Sequence, residues 1–410
     1  MKFLILSHFA GAPKYGMVFR NHTWASELVK QGHDVTVVAS NYSHTRNSQP
    51  ETSGYITKED IDGAQYLWVK GFSYNPKSAI MRILAMFWFT FQTYFFPPKL
   101  EDDYDVIVMS SPQPFTILTA SKWAKKFNAK LIYDIRDLWP LTLVEIGGQS
   151  KRNPLIWLMQ KMEDYSCKIA DLVTPVQKDC EIYLKQRGLR DGRFMHISNG
   201  ITDEDLYEPK NTPLPSEHTV LLKQLKNEDK FIIGYAGAIG LANCLHTLVE
   251  ALSNTDEKVH AVCVGHGNFH DQLIEQAKRL GVENRLHFLP AIKRPQVNDF
   301  LKNIDVAYIT FRKADMYKLG VSPTKLNDYM AACKPVLYPV DEVNNPIDQS
   351  QGGVSCEAEN SEAIAQGLNH LASLSQKELE KLGQQNRKWL EENHRVSEQM
   401  KNLVEKLESL

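Results

Sequence analysis

The sequence predicts an α/β protein made of two doubly wound, Rossmann-like domains. Three observations carry this. The 410 residues exceed one small core and suit two domains. Both halves alternate short, continuous apolar runs with amphipathic stretches, the pattern of buried parallel strands joined by helical crossovers. Between the halves lies a Pro- and charge-rich segment, Glu208 to Lys230, which reads as a linker. The domains are expected at residues 1–205 and 206–389.

Taken in order, Lys2–Ser7 reads as the first strand, Arg20–Lys30 as a helix and Asp34–Ala39 as the second strand. Asp105–Met109 and Lys130–Ile135 are apolar strands flanking a helix at Ile117–Phe127, and Leu172–Pro175 and Phe194–Ile197 complete the set. The chain turns at Asn199-Gly200-Ile201. A second series follows at Phe231–Ala236, Val259–Gly265, Leu286–Leu289, Asp305–Thr310 and Pro335–Pro339, each strand followed by a helix. Gln376–Leu410 is charged and helical in pattern. Ligands of open α/β sheets bind beyond the carboxyl ends of the strands, so two such domains facing each other would share a central cleft and require a hinge.

Bulk properties exclude several classes. A formal net charge of −2 gives no pull towards nucleic acid, and none is expected as a partner. The six cysteines are scattered without a CxxC, which is neither a disulfide framework nor a zinc signature and suits a reducing cytosol. The apolar run in MKFLILSHFAGAPKYG is too short for a signal peptide, and a cytoplasmic location is expected. Asp103-Tyr104-Asp105, Asp203-Glu204-Asp205 and Asp60-Ile61-Asp62 imitate a metal-binding DxD, but charged turns explain them better. No metal and no cofactor is expected.

The segment Leu319–Leu337, LGVSPTKLNDYMAACKPVL, holds a lysine where an ordinary helix would not have one. Ser322 reads as an N-cap and Pro323 as the first helical residue. Lys325 then falls at the third position, where a capping box carries Glu or Gln. A cation there opposes the helix dipole by about 0.3–1 kcal/mol, a conflict removed if a phosphate binds the same N–H groups and ammonium. Asp328 lies near the same face, suited to accept from sugar hydroxyls; a Lys325–Asp328 surface pair is the plainer alternative. Arg312 and Lys313 are further cations for phosphate. Upstream, Gly237 and Gly240 in GYAGAIG close a strand and let a ligand approach the backbone; a tight turn explains them equally well. Gly265-His266-Gly267 ends the next strand.

In the first half, Gly11 and Gly16 bracket a loop carrying Lys14 and Tyr15, without the GxGxxG of a dinucleotide site. Tyr133-Asp134-Ile135-Arg136-Asp137-Leu138-Trp139-Pro140 puts two acids and an arginine at the mouth of a buried strand, where unpaired charge is costly. An Arg136–Asp137 or Arg136–Asp134 ion pair and a functional role both remain open. Glu145 follows in the same loop. Ala79–Phe96, AIMRILAMFWFTFQTYFF, is the most apolar stretch, yet Arg82 and Gln92 interrupt it short of the ~20 residues of a spanning helix. It is either a core helix or an interfacial one, with Arg82, Phe87, Trp88 and Phe91 towards a membrane and Lys77 and Lys99 near its ends. Lys122, Trp123, Lys125, Lys126 and Lys130 would add a basic flank.

The phrases around Lys325 and Arg136 resemble the retaining glycosyltransferases of family 4, and within them the bacterial fucosamine-transferase-like group of O-antigen and capsule assembly. That group reads SP-x-KL-x-(D/E)-YMA-x-(G/C)-KPV and (E/D)IRDLWP. The broader family carries two glutamates eight positions apart, where this chain has Gly320 and Asp328. The resemblance implies the GT-B fold, with the last helix, at about 390–410, crossing back onto the first domain. It implies transfer of a sugar, an N-acetylated hexose or deoxyhexose, from a UDP-sugar with retention, without metal. The acceptor would be a polyprenyl-diphosphate-linked saccharide on the inner face of the cytoplasmic membrane. Carried over residue by residue, catalysis falls to Arg136, Asp137, Glu145 and Lys325. Donor contacts fall to Gly11, Gly237, Gly240 and His266, to Ile292 and Arg294 near the nucleobase, and to Ser322, Pro323, Thr324, Lys325, Leu326 and Asp328. Lys14, Tyr15, Arg82, Phe87, Trp88 and Phe91 would serve acceptor and membrane. Two rivals stand beside this: a UDP-sugar 2-epimerase of the same fold, and a non-catalytic sugar-nucleotide-binding partner, which Gly320 keeps in play.

Overall fold

The computed structural model describes residues 1–16, 20–100 and 103–410. The chain divides into two compact units, Met1–Asn199 with Val396–Leu410, and Gly200–Arg395. In the first, strands β1 (Lys2–Leu6), β2 (Asp34–Ser40), β3 (Ile56–Ile61), β4 (Ala64–Val69), β5 (Val106–Ser110), β6 (Lys130–Ile135) and β7 (Leu172–Pro175) form one sheet in the order β3-β4-β2-β1-β5-β6-β7. Only the β3–β4 pair is antiparallel. The other five pairs are parallel, and the strand order reverses between β1 and β5, the doubly wound arrangement. Helices α1 (Arg20–Lys30), α2 (Ala79–Phe95), α3 (Ile117–Phe127), α4 (Leu141–Glu145), α5 (Pro154–Ile169) and α6 (Glu181–Gln186) belong to the same unit.

The second unit repeats the plan. Strands β8 (Phe231–Ala236), β9 (Val259–Val264), β10 (Leu286–Leu289), β11 (Val306–Tyr308), β12 (Val336–Pro339) and β13 (Gly353–Cys356) run parallel in the order β10-β9-β8-β11-β12-β13, reversing between β8 and β11. Its helices are α7 (Asp203–Tyr207), α8 (Ser216–Asn227), α9 (Leu245–Leu252), α10 (His270–Leu280), α11 (Val297–Lys302), α12 (Thr324–Ala331), α13 (Pro346–Ser350), α14 (Ser361–Ser373) and α15 (Gln376–Asn393). A last helix, α16 (Val396–Glu408), packs in the first unit. Its Val396, Met400, Leu403 and Leu407, spaced four, three and four apart, are fully buried in one cluster with Trp24 and Leu28 of α1. Hydrogen bonds fasten it: Gln31 Nε2 donates to Ser397 O at 2.9 Å, Lys130 Nζ to Leu407 O at 2.6 Å and Gln399 Nε2 to Ser198 Oγ at 2.6 Å.

Several expectations are corrected. The proposed linker Glu208–Lys230 contains α8, whose Leu222 and Leu225 are buried in the second core. Phe194–Ile197 forms only one isolated bridge, Phe194 to Val173. Asp60-Ile61-Asp62 belongs to the β3–β4 hairpin, whose two-residue turn is Asp62 (φ 52°) and Gly63 (φ 81°), the positive-φ pair that a tight hairpin favours. Trp123 is a core residue of α3 and faces no membrane.

Candidate functional site

The second sheet's order reverses between β8 and β11, so a crevice is expected beyond their carboxyl ends. The turn after β8 begins with Gly237 at φ 154°, and a Cβ there would collide with Lys325 Nζ. Gly265, after β9, stands at φ 156°, and a Cβ on it would strike the Gly237 carbonyl oxygen. Glycine is therefore required at both. Hydrogen bonds lace the adjoining turns: Gly237 N–H donates to Val264 O at 2.9 Å, Ile239 N–H to His266 O at 2.9 Å and Gly265 N–H to Leu289 O at 3.0 Å. A Cβ at Gly240 would meet open space.

Helix α12 starts one residue later than expected. Pro323, with an extended ψ of 125°, is its N-cap, and no side chain caps it; Ser322 lies outside, and Lys325 takes the second helical position. The first N–H groups of α12 are left without intrahelical partners. Lys325 Nζ donates to Tyr235 OH at 2.8 Å and lies 4.3 Å from that ring's centre. Tyr235 OH in turn donates to Ala238 O at 2.7 Å, and Tyr329 OH accepts from Ala236 N–H at 3.2 Å. These contacts tie the β8 turn to α12. The partner of Lys325 is thus a neutral phenol, and burial lowers the ammonium pKa from 10.5 to about 8.

Asp328 does not pair with Lys325. Arg294 grips it with both terminal nitrogens, Nη2 to Oδ1 at 2.6 Å, and Arg294 also reaches Asp205 at 3.7 Å. Burial nevertheless lifts the Asp328 carboxyl above its usual range, with Arg294 opposing the rise. Together Gly237, His266, Ile292, Arg294, Thr324, Lys325 and Asp328 line a cavity of ≈ 380 Å³, with Gly265 and Tyr329 in its wall. Gly240, Ser322 and Pro323 do not line it, and Leu326 is buried in the core beneath. Sequence reasoning missed Tyr235 and Tyr329; a tyrosine near the carboxyl end of an otherwise apolar strand is the signal for the first. Gly320 adopts φ 103° and ψ 153°, a conformation that disfavours any side chain there. The adjoining Val321 N–H instead donates to Glu342 Oε1 at 3.1 Å. Lys313 is exposed and ion-paired with Glu357.

In the first unit, Asp134 belongs to Arg20. Arg20 Nε donates to Asp134 Oδ1 at 2.9 Å with both side chains buried, and Ser110 Oγ donates to Oδ2 at 2.7 Å. The Arg136–Asp134 alternative therefore falls. Arg136 and Asp137 each direct a backbone N–H at Ser111 Oγ, at 2.8 and 3.3 Å. The Asp137 side chain is accessible yet walled by protein, which raises its pKa while Arg136 pulls it down. Both residues line a second cavity, of ≈ 520 Å³, together with Arg82. Glu145, at the end of α4, is exposed and does not line it. Lys14 pairs with Glu59, to which Tyr15 OH donates at 2.7 Å, and Gly11 O accepts from Tyr66 OH at 3.4 Å. Helix α2 buries Ala85, Met86 and Phe89 and leaves Phe87, Trp88 and Phe91 exposed.

The acidic pairs are occupied locally: Asp103 and Asp105 by Lys2, Asp203 by Arg395. Among the described residues no group of three or more His, Cys, Asp or Glu is placed to hold a metal ion, and no helix is long and apolar enough to cross a membrane.

Two doubly wound sheets, one carrying a glycine-walled cavity with a lysine at a helix start, define a Rossmann-like α/β protein with a cavity at the carboxyl ends of its strands. The comparisons narrow this. Residues 16–205 match the family model described as Glycosyltransferase Family 4, and residues 220–389 the one described as Glycosyl transferases group 1. The chain is a glycosyltransferase family 4-like protein of the GT-B fold. Among solved structures it is similar to Anabaena Alr3699/HepE in complex with UDP and glucose, at 16% identity, TM-score 0.66 and 100% coverage of both chains. It is also similar to sucrose-phosphate synthase from Thermosynechococcus elongatus, at 14% identity, TM-score 0.71 and coverage of 100% and 99%. A third is the E. coli trehalose-6-phosphate protein bound with UDP-2-fluoro glucose, at 12% identity, TM-score 0.72 and coverage of 100% and 99%. No curated protein sequence matches.

Proposed function

We propose that this protein is a retaining glycosyltransferase that moves a sugar from a UDP-sugar to a polyprenyl-diphosphate-linked saccharide at the inner face of the cytoplasmic membrane. One observation carries the donor half: a half-buried ammonium, Lys325, at an uncapped helix start, facing a glycine turn and, among the described residues, hydrogen-bonded only to a phenol. An anion supplies what that group lacks. The uridine diphosphate of the similar HepE structure is an anion of this kind. Because Gly237 N–H is committed to Val264 O, diphosphate donors would come from the start of α12 and from Lys325. They would stabilise the negative charge that develops as the diphosphate leaves. The leaving phosphate would then accept the acceptor hydroxyl's proton. Arg294 and Asp328 would hold the nucleoside. In the first unit, Arg136 and Asp137 would orient the acceptor, and the exposed aromatic face of α2 would rest on the bilayer.

The test is incubation of the protein with UDP-, GDP- and dTDP-sugars and polyprenyl-diphosphate saccharides, followed by mass spectrometry. A gain of one sugar on the lipid, with UDP released, is expected. An epimerised sugar nucleotide formed without acceptor would replace the reading with an isomerase. Donor binding without turnover across the panel would leave a binding partner.

A further inference from the structure

The ≈ 520 Å³ cavity of the first unit is too apolar for a free oligosaccharide. Ten of its eighteen lining residues are apolar, among them Phe9, Ile83, Met86, Trp139 and Met159. Protein interiors are close-packed, and an apolar space of this size is a ligand-sized site left open. Two guanidinium groups from different elements, Arg82 of α2 and Arg136 after β6, also stand in its wall, against the single carboxylate of Asp137. Arg82 forms no ion pair among the described residues. His44, also in the wall, adds no positive charge: burial and the nearby Arg82 lower its pKa. The excess is positive.

Helix α2 joins this cavity to the outer surface. Ala79, Arg82, Ile83 and Met86, at helical spacing, face the cavity. Leu84, Trp88, Phe91 and Phe95 of the same helix are exposed, the last at 59%. One wall of the cavity is thus the back of an apolar surface.

Apolar walls with a net cationic lining match an amphiphile with an anionic head. Resting on the acceptor reading above, we propose that this cavity binds the diphosphate and the first isoprene units of a polyprenyl diphosphate, drawn in past α2. Arg82 and Arg136 hold the diphosphate, and Ile83, Met86 and Met159 enclose the tail. The lipid is therefore recognised by the protein itself, beyond serving as an anchor for the sugar.

Calorimetric titration of the full chain with farnesyl diphosphate, inorganic pyrophosphate and farnesol tests this. Farnesyl diphosphate is expected to bind about ten-fold or more tightly than either fragment, since head and tail both contribute. Met159→Trp and Ile83→Trp, which fill the cavity, should weaken it about ten-fold, and Arg82→Ala should weaken it less. Val220→Glu, at an exposed position of α8 in the second unit, should leave it unchanged. Thermal unfolding followed by circular dichroism on the same samples reports whether each variant is folded. Pyrophosphate binding as tightly as farnesyl diphosphate, or equal affinity in folded Met159→Trp and Ile83→Trp, overturns the proposal. If lipid-linked sugar still forms in that case, the transferase reading stands and the cavity assignment alone fails.

Discussion

Lys325 Nζ and Tyr235 OH are 2.8 Å apart, joining the start of α12 to the end of β8 through a bond between an ammonium and a neutral phenol. That bond does not compensate for lost hydration, which is why the ammonium pKa falls to about 8. An arriving diphosphate would restore the charge. Near pH 8.5, UDP binding should therefore take up protons, seen as a binding enthalpy that depends on the buffer's ionisation enthalpy. In Lys325→Met both this dependence and about ten-fold or more of the affinity should vanish. The linkage has a definite sign without ligand. Between pH about 8 and 10.5 the unfolded chain binds more protons than the folded one, so stability contributed by this group rises with pH. Buffer-independent enthalpies would count against Lys325 as a phosphate ligand.

Gly265 and Gly240, which sit in adjoining turns, should behave differently. Gly265→Ala forces a Cβ into the Gly237 carbonyl at φ 156° and is expected to cost about 1–3 kcal/mol. Gly240→Ala adds a methyl to open space and should change stability by less than about 0.5 kcal/mol. Thermal unfolding of both variants checks this; equal melting temperatures would show that the turns relax more freely than their packing implies.

What the sequence made legible follows from how local each signal is. Strands such as Lys130–Ile135 and Phe231–Ala236 are continuous apolar runs bounded by turn residues, and their limits agree with the structure. Lys325 was legible because a cation in the first turn of a helix conflicts with its immediate neighbours. The β3–β4 hairpin was missed because Thr57-Lys58-Glu59-Asp60 on its edge strand carries too few apolar residues, although Asp62-Gly63 marks the turn. Helix α5 was passed over despite the start signal Asn153-Pro154, where Asn153 accepts from Leu155 N–H. Partners distant in sequence leave no local trace: Tyr235 lies 90 residues from Lys325 and Asp134 lies 114 from Arg20.

The Arg20–Asp134 pair carries a stability prediction. Both side chains are buried, at 1% and 0% exposure, and Arg20 also donates to the carbonyl oxygens of Ile197 and Ser198. Asp134→Ala would leave a buried guanidinium without its counter-charge, at an expected cost of about 3–5 kcal/mol. The double variant Arg20→Met with Asp134→Leu removes both charges and should recover part of that loss. Urea unfolding of the single and double variants measures it. A single-variant loss below about 1 kcal/mol would mean that solvent reaches the site.

Helix α2 carries the prediction that separates a membrane-facing helix from a core helix with some exposed residues. Its N-cap Ser78 accepts from Met81 N–H, and Met86 and Phe89 anchor its inner face, so substitutions on the outer face should leave the helix folded. Phe87 is a poor probe, because it stacks on the buried Phe115 ring at 4.3 Å. Trp88 and Phe91, stacked on each other at 5.7 Å and each 44% exposed, test the outer face directly. Trp88→Glu with Phe91→Glu removes apolar area that would enter the interface and adds two charges repelled by anionic lipid. Sedimentation with phosphatidylglycerol-containing vesicles should fall about ten-fold or more, while turnover of a detergent-dispersed acceptor should change little. Raised salt should weaken the parent's binding only in part, since apolar burial persists when charge is screened. Unchanged sedimentation of the double variant would assign the exposed aromatics no role at the membrane.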